Sequence, residues 1–511
     1  MRRGKRFLFN ALVLTATSLL MRTIGVSFNV FISNKLGAAG VGLFQLVMSV
    51  YTFAVTVATS GINLATTRLV TEELANGSET GAKKAVRRCL AYSILFGTGA
   101  AAGLFFFADS IAAVLLGDVR TVKSLYALSV SLPFIAMSAV LSGYFTAVRR
   151  VVKSASAQLF EQFIRISAAV ILLNLLAPGG IEYACLAIVA GGSLAESLSF
   201  CFQFLLYRID RRRYRAVRTG GERLTRRLLG IALPVAVSAY ARSALTTIEH
   251  ILIPPRLRAF GYSKEEALAR YGVVHGMVLP VLLFPSAFLT AFSSLLVPEL
   301  AECNVRKDHR QIHYIISRVL HVTLIFAIGV SGIFLAFPGE LGLAIYQNAE
   351  AGMYLKIFAP LVIVMYLDSV VDGMLKGLNQ QVSSMRYNVI DSLVSVGMVY
   401  FLIPVCGIGG YVAVIFVSEM LNGFLSLNRL IRVTDFRIDY IAWVVKPFIA
   451  ISCAALFVRS AAYIFGAGLS AAASSVVCYV SCTVLIYLLL LFLMSCITGE
   501  DVRLVRSVLK K

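Results

Sequence analysis

Apolar stretches of about 20 residues, long enough to cross the hydrocarbon core of a bilayer as a helix, recur along this chain from Phe7 almost to its end. A soluble domain cannot hide so many, because a surface that faces water must carry charge. Here 59% of the 511 residues are hydrophobic and only 14% are charged. A transmembrane barrel is excluded as well, since its strands alternate polar and apolar side chains and these runs do not. The expected fold is an all-α polytopic membrane protein of about 14 transmembrane helices, the first near 7–33 and the last near 473–496.

The net charge of +21 reads as topology. With those spans, about 32 of the 47 Lys and Arg fall on the side that holds both termini, and about 7 on the other. Cytoplasmic loops carry such an excess, so both termini are expected in the cytoplasm of a cell-membrane protein. The densest block, RIDRRRYRAVRTGGERLTRR (208–227), suits a linker lying on anionic lipid. It lacks the partner fold that nucleic-acid binding needs, and no nucleic-acid partner is expected. The nine cysteines lie mostly within spans, with no C-x-x-C pair, and read as small apolar residues. His309 and His313, one helical turn apart, read as a polar interfacial face, so no metal is expected. The N-terminus imitates a secretory signal, but its apolar run is too long, and an uncleaved anchor is expected.

An internal repeat organises the rest. GYFTAVRRVVKSASAQLFEQ (143–162) overlays GMLKGLNQQVSSMRYNVIDS (373–392), matching Gly143 to Gly373, Ser154 to Ser384 and Glu161 to Asp391. Leu69-Val70-x-Glu72 overlays Leu296-Val297-x-Glu299, and Ser18 and Arg22 overlay Ser238 and Arg242. Two pseudo-symmetric six-helix lobes follow. Helices 1–6 occupy 1–215; the basic linker and helices 7–12 occupy 216–435; two further helices and a tail occupy 436–511. An even helix number gives both lobes one orientation, about an axis along the membrane normal, with a central cavity between them: a transporter plan.

Charges within spans are the candidate site. Arginine cannot shed its proton, so Arg22 and Arg242 must pair or face water. Guanidinium matches phosphate oxygens with paired N–H donors, so the two arginines are candidates for an anion clamp. Glu249, seven residues after Arg242, is too distant for an easy ion pair and is taken with Asn29 as a lining residue of the same site. The alternative is a structural pairing of the arginines with carboxylates. Glu161 and Arg165, spaced i, i+4, are expected to neutralise one another. Asp368 and Asp372, also i, i+4, repel on one face; with Glu196 and Glu419, one in each lobe, they are the candidates for ion coupling. Pro280 and Pro285 flank a candidate bend in helix 8, and Pro360 lies inside helix 10.

Several stretches resemble one known family. NKLGAAGVGLFQL (34–46) is similar to the connection after helix 1 in the polysaccharide-transport branch of the multidrug/oligosaccharidyl-lipid/polysaccharide flippase superfamily. GINLATTRLVTEELANG (61–77), the long segment 249–302 and GLNQQVSSMRYNVIDSLVSVGMVYFLIPVCGIGGY (377–411) resemble it in order, the segment 249–302 being closest to sporulation-associated members. The resemblance implies 12 core helices in two lobes with two more at the C-terminus. It implies flipping of an undecaprenyl-diphosphate-linked saccharide, for sporulation members the peptidoglycan precursor lipid II of the spore cortex, beside peptidoglycan synthesis enzymes. It also implies that Arg22 lines the cavity. Asn29 stands where a basic residue is usual in this branch, lowering the charge of the clamp. No enzyme activity and no cofactor are expected; coupling to protons, sodium or the membrane potential is. A cation-coupled multidrug exporter of the same fold, or an exporter of another lipid-linked polysaccharide unit, is the alternative.

Overall fold

The computed structural model describes residues 2–59, 61–211, 224–434, 441–464 and 472–496. Among them the regular structure is helical, with no strand. The long helices are α1 (Arg2–Thr59), α2 (Ile62–Ala75), α3 (Glu79–Phe106), α4 (Val122–Ala147), α5 (Val151–Leu176) and α6 (Ile181–Arg211). They continue as α7 (Leu224–Phe260), α8 (Lys264–Tyr271), α9 (Ser286–Arg306), α10 (His309–Ala336), α11 (Ala349–Phe358), α12 (Leu361–Gly377) and α13 (Gln381–Thr434). Last come α14 (Lys446–Ile464) and α15 (Ala473–Leu493). Among the described residues, eleven helices are long and apolar enough to cross a membrane, or twelve if α11 and α12, bent by 61°, form one span.

Two of these helices are too long for one crossing. At about 1.5 Å per residue a helix of more than 50 residues exceeds 75 Å, against a hydrocarbon core of roughly 30 Å. Each is broken at one glycine: Gly37 in α1 (φ 68°, ψ 174°) and Gly407 in α13 (φ 57°, ψ −135°). Residues with a Cβ avoid these dihedrals, so one glycine turns the chain without a loop. The expected 14 crossings arise if each of these helices counts twice and the bent pair once. The helix starting at Leu224 also runs on through Pro254 and Pro255 to Phe260, and α8 follows at once. The stretch 254–270, which sequence patterning reads as a connection, is therefore largely helical. Helix 8 does break at Pro285, which sits immediately before α9.

The repeat is written in the backbone. Helices 79–106 and 309–336 begin and end 230 positions apart. So do positive-φ residues in three pairs: Gly77 with Lys307, Gly117 with Gln347, and Arg149 with Asn379. Ser78 and Asp308 each cap the following helix, accepting from Gly81 N and Gln311 N. In both halves the helices meet through small residues, as they must where lipid supplies no hydrophobic drive between helices. A Cβ on Gly143 would lie 2.6 Å from the Asn63 carbonyl and 3.0 Å from Thr66. Gly373, its repeat partner, lies against Ser293. The additional helices α14 and α15 cover α10, with Ile451 against Gly332, Tyr487 against Gly329, and the Tyr487 hydroxyl donating to the Ile325 carbonyl at 2.8 Å.

The chain forms two compact units. One contains 1–28, 35–272 and 396–411; the other contains 29–34, 273–395 and 412–511. In the first, α7 is fastened to the second part of α1. The Thr56 hydroxyl donates to Ser243 Oγ at 3.2 Å, Thr247 to the Ser49 carbonyl at 3.2 Å, and Tyr240 to the Val57 carbonyl at 3.3 Å. Arg227, at the start of α7, reaches Glu73 at 3.0 Å and also pairs with Glu72.

Candidate functional site

Arg22 on α1 and Arg242 on α7 are both exposed, and both belong to the first compact unit. Arg242 adjoins Ser243, which is engaged with α1, so its own side chain is turned about 100° away around the helix. Among the described residues no carboxylate lies within ion-pair distance of Arg242, Glu249 included. Glu249 is half-buried on the same helix. Asn29 lies in the other unit, where its side-chain amide donates to the Gly276 carbonyl at 2.9 Å. Gly276 sits in a π-helical segment, 272–278, where the usual helical pairing of carbonyls is shifted.

The acidic candidates sort into two polar networks inside apolar helices. In the first unit, one guanidinium serves two carboxylates. Arg165 Nη2 lies 2.5 Å from Glu161 Oε1 and 2.8 Å from Glu196 Oε1. The Ser199 hydroxyl donates to the other Glu161 oxygen at 3.3 Å. The expected Glu161–Arg165 pair is present, and Glu196 joins it from α6. With both acids ionised, the triad carries one excess negative charge.

The second unit builds its network from α12 and both parts of α13. Asn422 Nδ2 donates to Asp368 Oδ2 at 3.0 Å and approaches Asn388 Oδ1 at 3.4 Å. Asn388 in turn donates to the Ser384 carbonyl at 3.0 Å. Asp372 stands apart: it accepts from the Ser384 hydroxyl and pairs with Lys376 at 2.6 Å. Asp368 Oδ1, Asp391 Oδ1 and Asn422 Oδ1 are buried with no hydrogen-bond partner. Buried acceptors left this way are costly, and water, a proton or an oxygen-liganded cation would satisfy them. No group of three His, Cys, Asp or Glu is placed to hold a metal among the described residues, so the donor set does not suit a transition metal. Glu419 is half-buried on α13.

Sequence reasoning does not single out Asn388, Asp391 and Asn422 as site residues. The repeat pairs Asp391 with Glu161, a signal that marks the position but not its partners. The amides carry no charge, and nothing in their local pattern announces that they share one network.

The sequence profile of the polysaccharide biosynthesis protein family matches residues 7–302. Stage V sporulation protein B of Bacillus subtilis (strain 168) is 25% identical over 507 residues, covering 97% of both chains. In fold, the chain is similar to lipid II flippase MurJ in an inward closed conformation, with a TM-score of 0.68 and 13% identity over 94% of this chain and 98% of that one. It is also similar to an inward-facing multidrug resistance MATE family transporter of the MOP superfamily, with a TM-score of 0.62 and 13% identity over 83% of this chain and 98% of that one.

Proposed function

Because the chain belongs to the polysaccharide biosynthesis protein family, we propose that it flips a lipid-linked saccharide across the cell membrane by alternating access between two lobes, 1–215 and 216–435. The observation that carries this reading is the pair Arg22 and Arg242, both exposed inside apolar helices. An arginine at mid-bilayer costs roughly 2.5–3.5 kcal/mol, a cost that facing a water-filled cavity avoids. The cargo is an undecaprenyl-diphosphate-linked unit, the peptidoglycan precursor lipid II, and the arginines grip its diphosphate, with Glu249 a further substrate-binding candidate on the helix of Arg242. The names of the sporulation protein and of the lipid II flippase support this choice of cargo. Both termini lie in the cytoplasm, and peptidoglycan synthesis enzymes use the exported precursor.

Moving an uncompensated anion outward against the membrane potential costs about 2.3 kcal/mol per charge per 100 mV. A coupled cation offsets that. The network of Asp368, Asn388, Asp391 and Asn422 is the candidate for taking sodium or a proton, supported by its three unpartnered buried oxygens. Glu196 is the first-half candidate for a proton, because it shares one guanidinium with Glu161. Asp372 and Glu419 are secondary candidates. The fold likeness to a multidrug resistance transporter favours a cation-coupled drug exporter as the second reading, but two exposed arginines disfavour the acidic cavity expected of one. Purified protein in vesicles, given labelled lipid II, another undecaprenyl-diphosphate glycan and a cationic dye in separate assays, decides between them. Lipid II should become accessible in the far leaflet and the dye should not move. Transport of the dye alone would reject the flippase reading.

A further inference from the structure

The odd-numbered helix connections carry two reciprocal fastenings. In the second unit, Asn34, from the first connection of the first repeat, donates its amide to the Ile345 carbonyl at 3.0 Å. Ile345 lies in the third connection of the second repeat. In the first unit, Lys264, from the first connection of the second repeat, lies 3.3 Å from Asp118 Oδ2. Asp118 lies in the third connection of the first repeat. Each repeat thus reaches from its first connection to the third connection of the other.

The two fastenings differ in charge. Asp118 and Asn348 are 230 positions apart, and each accepts from a backbone N–H at the start of a following helix: Arg120 N at 3.1 Å for Asp118, and Ala351 N at 3.1 Å for Asn348. A neutral amide therefore suffices for that cap. The carboxylate of Asp118 adds charge beyond what capping needs, and it is only 2% exposed. Arg120, at 2.7 Å, and Lys264 take up that charge. Beneath Lys264, α8 lies backbone to backbone on the start of the second crossing: a Cβ on Gly272 would collide with the Ala38 carbonyl and lie 2.6 Å from Gly42 N. Tyr271 then lies beside Tyr411, with ring centroids 6.3 Å apart and the rings tilted by 40°.

We propose that the Asp118–Lys264 ion pair is a latch that holds the first connection of the second repeat against the third connection of the first, and that it parts during the transport cycle, while Asn34–Ile345 is its neutral counterpart. The proposal rests on the transport reading for its purpose, but not for its test. In vesicles, with the nine native cysteines replaced, the double variant Asp118→Cys/Lys264→Cys should be bridged by a bifunctional methanethiosulfonate long enough to replace the lysine side chain, which the two single variants should not be, since the contact runs through the far end of that side chain. The cross-link should lower lipid II export at least tenfold, and reductant should restore it. Separately, a Tyr411→Cys reporter should react several-fold faster with a membrane-impermeant thiol reagent when Asp118→Asn is added, since that variant keeps the cap and removes the charge. Failure to cross-link, full export by the cross-linked protein, or a reporter indifferent to Asp118→Asn would each overturn the latch. If the unmodified protein exports no lipid II, the transport reading fails while cross-linking and reporter still test the latch.

Discussion

The same place in the two repeats holds opposite solutions to one problem. Glu161, Arg165 and Glu196 of the first repeat correspond, 230 positions on, to Asp391, Ser395 and Ser426. In the first repeat a guanidinium inside the helix pair draws two acids together. In the second, Ser395 stands where that cation would be, and among the described residues the acids have amides and hydroxyls as neighbours and open oxygens. One backbone plan therefore yields a closed network that carries its own counter-charge and an open one that must obtain it elsewhere. A duplicated scaffold can thus hold one charge site with a built-in cation beside one without.

The largest contrast should come from removing the cation. Arg165→Ala leaves two partly buried carboxylates without their counter-charge, and since breaking a fully buried pair in this way costs about 3–5 kcal/mol, the cost here should fall at or below the lower end of that range. Thermal unfolding in detergent should show a large loss, largely recovered by adding Glu161→Gln and Glu196→Gln. Ser395→Ala, at the corresponding position, should cost under about 1 kcal/mol, since its hydroxyl has no partner to strand. Equal losses at the two positions would break the comparison.

Ion binding should be next in size. A cation at 100 times its dissociation constant stabilises the state that binds it by about 2.7 kcal/mol. Replacing choline with sodium at fixed ionic strength should raise the melting temperature of the wild-type protein; Asp368→Asn or Asp391→Asn should abolish that rise. Glu161→Gln should leave it intact. A rise that persists in both aspartate variants would move the site elsewhere.

Helix packing and capping should then show the repeats behaving alike. Gly143→Ala and Gly373→Ala both force side chains into neighbouring atoms, and overpacking of this kind costs typically about 1–3 kcal/mol. Ser78→Ala and Asp308→Ala each remove a cap, at about 1 kcal/mol. The smallest effect concerns pH. Burial opposes the charge on Asp118, but the Arg120 guanidinium and N–H, with Lys264, outweigh it and hold its carboxyl below the ordinary range. The stability this gives is present above the ordinary carboxylate pKa of about 3.9 and is lost as pH falls through the lowered value. The difference in thermal stability between the wild-type protein and Asp118→Asn should therefore stay unchanged from neutral pH to about 5.

Composition and run length make the membrane class legible, and the overlay of 143–162 on 373–392 carries the duplication in the residues themselves. What stays hidden follows from physics that a linear pattern does not carry. Patterning looks for a loop between crossings, but Gly37 turns the chain within what otherwise reads as helix. Proline marks helix ends in soluble proteins, yet Pro254 and Pro255 lie within a membrane helix. Glu161–Arg165 is legible because i, i+4 neighbours share a face. The third member, Glu196, is 31 residues further along and arrives only through the packing of α6 on α5. The amides of Asn388 and Asn422 acquire meaning only beside Asp368.

The central claim is that two arginines hold the diphosphate of the cargo. The direct measurement is lipid II export from vesicles containing Arg22→Gln/Arg242→Gln, with folding checked by thermal unfolding. A folded double variant should export at least tenfold more slowly than wild type, with each single variant intermediate. Export at the wild-type rate would contradict the account.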